Sequence, residues 1–184
     1  MIDESIKLTE NEKKVLKELT DKGRITDTKL ADSMAITQQA VYQIRNRLES
    51  LGIIEGYEPI LNLKKIGIKI IWVIGIEILP EMWENLKEHE ITKRLQEIPH
   101  TLKIIRLPSS DISYIIILGL KSIIERETLS AQIETKLAKK INIVWSYTTS
   151  CDNYIEKNKT NCIDYATSKK EFNYTKLIEK LNKK

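Results

Sequence analysis

The stretch "IKIIWVIGIEI" at residues 68–78 constrains the fold more than any other part of the chain. Successive side chains of a strand point to opposite faces, so Trp72 and Ile74 lie on one face and Ile71 and Val73 on the other. Both faces are therefore apolar. A run of this length is too short to cross a bilayer as a helix. It predicts a strand that is covered on both sides.

The segments after Gly67 alternate between strand and helix patterns. We predict six elements in this order: strand 68–78, helix 81–97, strand 100–107, strand 112–119, helix 122–139 and strand 141–149. This β-α-β-β-α-β order is the ferredoxin-like arrangement.

Two helices can cover only one side of such a four-stranded sheet, and a sheet with one solvated face should alternate cleanly between apolar and polar residues. The second apolar face needs another source of cover. A second copy of the same sheet is the simplest source, so we predict a homodimer. The alternative is that the C-terminal tail covers this face, but "DNYIEKNKTNCIDYATSKKEFNY" is too polar to cover much of it.

The first 60 residues carry the start and stop signals of three helices. Thr9 and Glu12 form a capping box for the first helix, and Gly23 ends it. Thr26 caps a short second helix, "DTKLADSM", and Thr37 caps the third, which closes at Gly52. A short β-like segment, "IIEGYEPIL", follows. Three helices and a small β-element predict a winged helix-turn-helix.

These patterns together predict an α+β chain with three parts. They are an N-terminal winged helix-turn-helix at 1–62, a ferredoxin-like domain at 63–150, and a polar C-terminal extension at 151–184. For the extension, a short helix over "YTKLIEKLNKK" stays open.

The third helix divides into two faces at about 100° per residue. One side is apolar and includes Val41, Ile44, Leu48 and Leu51. The opposite side carries amide and phenol groups from Gln39, Tyr42, Gln43 and Asn46. Gln and Asn side chains can pair bidentately with the N6/N7 edge of adenine in the major groove. A solvated polar face is the alternative interpretation of this helix.

Cationic and hydroxyl groups flank that polar face. Arg45 and Arg47 lie at the edges of the apolar stripe, Arg24 and Lys29 precede the helix, and Thr37 caps it. These groups can reach phosphates. The net charge gives little support to nucleic-acid binding, because residues 1–66 carry 11 Lys/Arg against 11 Asp/Glu. An assembly module without DNA binding is therefore a further alternative.

The pieces "GRITDTKLA", "RLESLGIIEGY" and "LNLKKIG" resemble the Lrp/AsnC (feast/famine) transcription regulators of the archaeal type. The resemblance covers about residues 5–150. It implies a regulator that binds double-stranded DNA, dimerises through its C-terminal sheets and assembles into larger rings of dimers. It also implies that the recognition helix meets DNA at Gln38, Gln39, Tyr42, Gln43, Arg45 and Asn46.

The sequence departs from this family in the loop "RLPSSDISY" and in its C-terminal extension. Members of the family carry a glycine- and aspartate-bearing loop there, beside an amino-acid effector site. Asp111 fits the acidic position, whereas Pro108, Ser109 and Ser110 replace the glycine turn, and proline stiffens a turn. Ser109, Ser110 and Asp111 are thus candidates for effector binding. The alternative is that Asp111 caps a turn.

The sequence offers few other candidates for catalytic, metal or cofactor sites. No CxxC, HExxH, GxGxxG or GxxxxGK motif is present, so we predict no catalytic residues, no metal and no cofactor. Cys151 and Cys162 are expected as free thiols of a cytoplasmic protein, with a disulfide or redox switch as alternatives. A siroheme- or haem-processing enzyme on the same two-domain scaffold is the rival function, with His100 as its haem-contacting candidate.

Overall fold

The computed structural model of the chain describes residues 7–108, 111–155 and 160–167. These residues form two compact units. One unit contains the chain up to Ile60 together with the last described helix, and the other contains Leu61–Ile155. The exact domain boundaries given above stay a prediction. The predicted helix over residues 174–184 lies outside the described residues.

The first unit is built on four helices: α1 (Glu10–Lys22), α2 (Asp27–Met34), α3 (Gln38–Ser50) and α7 (Thr160–Thr167). The predicted caps are confirmed. The Thr9–Glu12 capping box starts α1, Gly23 ends it, and Thr26 and Thr37 cap α2 and α3. Buried apolar side chains from α1, α2 and α3 form a single core: Val15, Leu19, Leu30, Ala31, Val41 and Leu48. The docking of α7 on α1 was not predicted.

The chain after α3 corrects one prediction, because residues 51–69 contain no strand. The backbone N–H groups of Ile53 and Ile54 both donate to the carbonyl of Leu48, at 3.0 and 3.2 Å. These bonds turn the chain around the end of α3. Pro59 has no N–H to offer to a neighbouring strand. The β-like residue pattern of "IIEGYEPIL" is therefore not accompanied by strand pairing.

The second unit has the predicted ferredoxin-like order. Its elements are β1 (Ile70–Ile78), α4 (Pro80–Asn85), α5 (Glu88–Gln96), β2 (Thr101–Arg106), β3 (Tyr114–Leu120), α6 (Ile123–Lys136) and β4 (Ile141–Ser150). The four strands form one antiparallel sheet in the order β2-β3-β1-β4. The predicted α+β fold class is confirmed.

The first of the two predicted helices is broken into α4 and α5. Leu86 adopts an extended conformation between them, with φ −138° and ψ 141°. Its side chain packs against the core of the unit, which also contains Met82 from α4 and Ile91 and Leu95 from α5. Burial of Leu86 stabilises the break, and burial is the stronger term because helix propensities differ by less than about 1 kcal/mol per ordinary residue.

The two faces of the sheet differ in their cover. The helix-covered face holds the core of the unit, with Trp72, Ile74 and Ile76 at 2% exposure or less. On the other face, Val73 lies between Ile117 of β3 and Tyr147 of β4. Val73 and Ile117 are half-buried, while Tyr147 is 69% exposed. We call these three residues the open patch.

The rest of the second face is partly covered by the unit itself. Ile71 is buried, and Ile68 and Leu102 lie close to Gly119 beside it. The expectation that the whole second face needs an outside partner is therefore too broad. It applies to the open patch.

We expect Gly75→Ala to destabilise the fold by about 1–3 kcal/mol, because it overpacks the sheet. A Cβ at residue 75 would come within 2.5 Å of the Trp145 indole ring. Urea unfolding measures the change. Gly56→Ala is the matched control, since a Cβ there meets nothing within 4 Å. Equal stability of the two variants would contradict the packing of Trp145 on Gly75.

Candidate nucleic-acid interface

Helix α3 is held in place from its buried side. Val41 and Leu48 are fully buried, and Ile44 packs against the same core. The Thr37 hydroxyl accepts a hydrogen bond from the Ala40 N–H at 3.1 Å, which gives a partner to one backbone N–H of the first turn. The predicted apolar stripe is confirmed at these positions. It is wrong at Leu51, which follows the last helical residue and is exposed.

The opposite face of α3 is free of cover within the described chain. All the predicted base-reading residues are exposed: Gln38, Gln39, Tyr42, Gln43 and Asn46. Tyr42 is a large ring with 51% of its surface in solvent. Amide groups offer both donors and acceptors, so this face can hydrogen-bond to base edges in a groove.

The two arginines of α3 have different surroundings. Arg45 forms an ion pair with Asp27 at the start of α2, and its side chain is only 18% exposed. It also donates to the Tyr57 hydroxyl at 3.3 Å and lies over the Tyr57 ring, 5.7 Å from the ring centre. Arg47 is 56% exposed, and its Nε lies 2.7 Å from an oxygen of Glu12. Sequence spacing did not indicate either partner, because both are remote along the chain.

The remaining phosphate candidates lie on the surface. Arg24, between α1 and α2, and Lys29, in the first turn of α2, are both exposed. The backbone N–H of Lys29 donates to the capping hydroxyl of Thr26 at 3.3 Å. Thr37 is exposed at the N-terminus of α3. Exposed cations and a helix N-terminus are groups that phosphates bind.

A buried carboxylate joins α1 to α3. Glu12 is 4% exposed and accepts from the Thr9 N–H at 2.7 Å, in addition to its pair with Arg47. The hydrogen bond from the Thr9 backbone and the nearby Arg47 guanidinium lower the pKa of Glu12 from its ordinary value of 4.5, against the opposing effect of burial.

We expect this carboxylate to make unfolding pH-dependent. A folded-state pKa below the unfolded value contributes stability that is present above about pH 4.5 and is lost as the pH falls through the folded pKa. Glu12→Gln should therefore be less stable than the wild type at pH 7, and the difference should shrink below pH 4.5. Urea unfolding at both pH values measures it, with the exposed Glu58→Gln as control. A difference that does not change with pH would contradict this assignment.

The predicted effector loop is only partly described. Ser109 and Ser110 lie outside the described residues. Asp111 is exposed and lines a cleft of about 390 Å3 at one end of the sheet, together with Glu77, Trp83, Arg106 and Tyr114. Arg106 forms an ion pair with Glu88 of α5. The cleft thus combines charges of both signs with two aromatic side chains.

His100 and the two cysteines are the remaining candidate groups. His100 Nε2 lies 3.2 Å from a carboxylate oxygen of Glu125, and the Lys121 N–H donates to that carboxylate at 2.6 Å. Cys151 is buried, Cys162 is exposed, and both are free thiols. In the described ranges, no three His, Cys, Asp or Glu residues gather as metal ligands. No described helix is long and apolar enough to span a membrane.

Comparisons with known proteins agree with this architecture. The family model for winged helix-turn-helix DNA-binding domains matches residues 8–55. The chain is 34% identical over 92 residues to the HTH-type transcriptional regulator LrpA of Pyrococcus horikoshii, which covers 48% of this chain and 65% of that protein. It is 32% identical over 74 residues to the leucine-responsive regulatory protein of Rhizobium meliloti, and this alignment covers 40% of this chain and 47% of that protein.

Solved structures extend the likeness to both units. LrpC of B. subtilis superposes with a TM-score of 0.63 at 18% identity, covering 82% of this chain and 99% of LrpC. The leucine response regulatory protein LrpA of Mycobacterium tuberculosis superposes with a TM-score of 0.61 at 23% sequence identity, covering 82% of this chain and 97% of LrpA. A transcriptional regulator of Neisseria meningitidis in complex with L-Met superposes with a TM-score of 0.66 at 16% sequence identity, covering 83% of this chain and 95% of that regulator.

The chain matches the family model of winged helix-turn-helix DNA-binding domains and is similar to regulators of the Lrp/AsnC family. The alignments with the curated Lrp/AsnC relatives span less than two thirds of the length of those proteins, 65% for the P. horikoshii regulator. The reported relatives are named as regulators, and their names give no support to the tetrapyrrole-processing alternative. The Lrp/AsnC resemblance places Arg45 at the DNA, whereas the structure pairs it with Asp27.

Proposed function

We propose that this chain acts in the cytoplasm as a homodimeric, sequence-specific transcription regulator that reads the major groove of double-stranded DNA with α3. The observation that carries the proposal is the exposed amide-rich face of α3, on a helix whose other face is held in the core by the fully buried Val41 and Leu48. The match to winged helix-turn-helix DNA-binding domains, the similarity to Lrp/AsnC regulators and the regulator names of the relatives support it.

The exposed groups suggest a division of roles at the interface. Gln39, Gln43 and Asn46 read base edges, because amides pair bidentately with adenine. Arg24, Lys29 and the N-terminus of α3 at Thr37 hold the phosphates. Tyr42 lies among the amides, where its ring can contact the methyl group of thymine. These exposed cations would supply local positive charge although residues 1–66 are neutral as a whole.

The open patch supports the homodimer. Val73, Ile117 and Tyr147 are adjacent across three strands and leave apolar surface in solvent. A second copy of the same sheet covers this surface symmetrically, and two copies of α3 then read two half-sites. Rings of dimers are part of the proposal through the family resemblance alone.

A second part of the proposal concerns an effector. The cleft beside Asp111 holds Glu77 and Arg106 at the same sheet end, so it can bind both the ammonium and the carboxylate group of an amino acid. The L-Met complex of the Neisseria regulator supports this ligand class. Thermal-shift and calorimetric titration with the amino acids, L-Met included, tests it. Binding that survives Asp111→Asn would place the ligand elsewhere.

The main test is DNA binding by the purified full-length protein. Gel-shift and fluorescence assays against genomic fragments should show salt-dependent binding with a preference for particular fragments over random DNA. Equal affinity for every fragment would overturn the proposal. An absorbance scan with added haem or siroheme addresses the rival enzyme, which would give a strong Soret shift that disappears in His100→Ala.

A further inference from the structure

Arg45 is the centre of a side-chain network that links three parts of the first unit. Its guanidinium forms an ion pair with Asp27 at the start of α2 and donates to the Tyr57 hydroxyl at 3.3 Å. The Tyr57 hydroxyl in turn donates to a carboxylate oxygen of Glu49 in the last turn of α3, at 2.8 Å. The network therefore joins α2, α3 and the segment that follows α3.

The surroundings of Arg45 oppose a direct role at DNA. Its side chain is 18% exposed and that of Asp27 is 22% exposed, so the pair is largely out of water. Moving the guanidinium to a phosphate would leave the Asp27 carboxylate without its partner in a half-buried position, which is strongly unfavourable. Arg47 on the same helix differs, because its side chain is 56% exposed.

Helix α3 needs such a restraint. Its buried stripe at Val41 and Leu48 packs it against the core. Apolar contacts are non-directional, so they define the rotation of the helix about its axis less specifically than a hydrogen-bonded ion pair does. Base readout by amide groups tolerates displacements of only about 0.5 Å or 10–20°. A charged network on the flank of the helix, directed toward α2, limits that rotation.

We propose that Arg45 is a positioning residue of the recognition helix: with Asp27 and Tyr57 it fixes the orientation of α3, and it does not contact DNA. This inference rests on the proposed function for its DNA-binding consequence. It changes the role that the family resemblance implies for Arg45. It also assigns Asp27, Glu49 and Tyr57 to the network that positions α3, a role that sequence patterns indicated for none of them.

The sharpest test removes the partner and leaves Arg45 in place. Asp27→Asn should reduce the preference for a specific fragment over random DNA about 3- to 10-fold, since one charge-assisted bond is weakened. If Arg45 instead binds phosphate, Asp27→Asn releases it, so affinity for both DNAs should rise with the preference unchanged. That rise would overturn the proposal. Asp32→Asn, an exposed acid on the same helix, controls for the change in net charge.

Salt dependence distinguishes positioning from phosphate contact at Arg45 itself. A residue that neutralises one phosphate contributes about 0.9 to the slope of log K against log salt concentration. Arg45→Gln should lower the preference for the specific fragment and leave the slope unchanged. Arg24→Gln should make that slope less steep by about 0.9. A slope that falls in Arg45→Gln by the same amount overturns the proposal.

One measurement needs no DNA. Because the Arg45 Nε is buried, its proton should exchange with solvent more slowly than that of the exposed Arg24 in 1H–15N spectra of the free protein. Asp27→Asn should speed the exchange, and equally fast exchange of both protons in the wild type would overturn the network. A wild type without sequence preference would overturn the proposed function, while this measurement still decides whether Arg45 restrains α3.

Discussion

The double variant Gln39→Ala/Gln43→Ala should lose most of its preference for a specific DNA fragment. Each bidentate amide–base pair contributes about 1–3 kcal/mol of discrimination, so losing two such pairs should make specific and random DNA nearly equivalent. Both side chains are exposed on α3, so the free energy of unfolding should change by less than about 0.5 kcal/mol. Competitive gel shifts and urea unfolding measure the two quantities.

Arg24→Gln is the comparison variant for this experiment. It removes an exposed cation and no base contact, so it should weaken binding to all sequences alike. It suits the purpose better than Arg47→Ala, because Arg47 also pairs with the buried Glu12 and its removal would disturb α1. If both variants lowered specific and random binding equally, the assignment of the α3 amides to base readout would be wrong.

The second large effect concerns self-association. Tyr147→Asp should convert the proposed dimer into a monomer, because a carboxylate placed in an apolar interface without a partner loses its hydration at a cost of several kcal/mol. Tyr147 is 69% exposed in the single chain, so the substitution should not unfold the sheet. Sedimentation velocity over a concentration series measures the molecular mass, and circular dichroism monitors folding.

A matched substitution elsewhere tests whether the open patch is the specific surface. Ile124 on α6 is 75% exposed, so Ile124→Asp adds the same charge to a different apolar position. It should leave the dimer intact. Val73→Asp, at the centre of the open patch, should act as Tyr147→Asp does. A folded Tyr147→Asp variant that stays dimeric would show that the two copies meet elsewhere.

Most of the fold could be predicted because its signals are local. The Thr9–Glu12 capping box and the caps at Thr26 and Thr37 start their helices where the sequence places them. Short apolar runs located the strands of the second unit to within a few residues. In each case a hydrogen bond or a buried side chain within a few residues of the signal accounts for the result.

The predictions that were wrong depended on distant parts of the chain. Leu86 interrupts a helical pattern because its side chain packs, partly buried, against a core made by other elements. Residues 53–61 have strand-forming composition, but the chain turns around the end of α3 instead. Ile71 was expected to need outside cover, yet it is buried within the single chain. None of these contacts follows from helical or strand periodicity.

For α3, the sequence by itself determined which side is buried and which side is polar, since a 3.6-residue period assigns each side chain to a face. Only the tertiary structure decided which polar groups remain available, because that depends on partners far along the chain. Asp27 binds Arg45 across 18 residues, and Glu12 binds Arg47 from another helix. Gln39, Gln43 and Asn46 stay exposed to solvent, which is the condition for reading DNA.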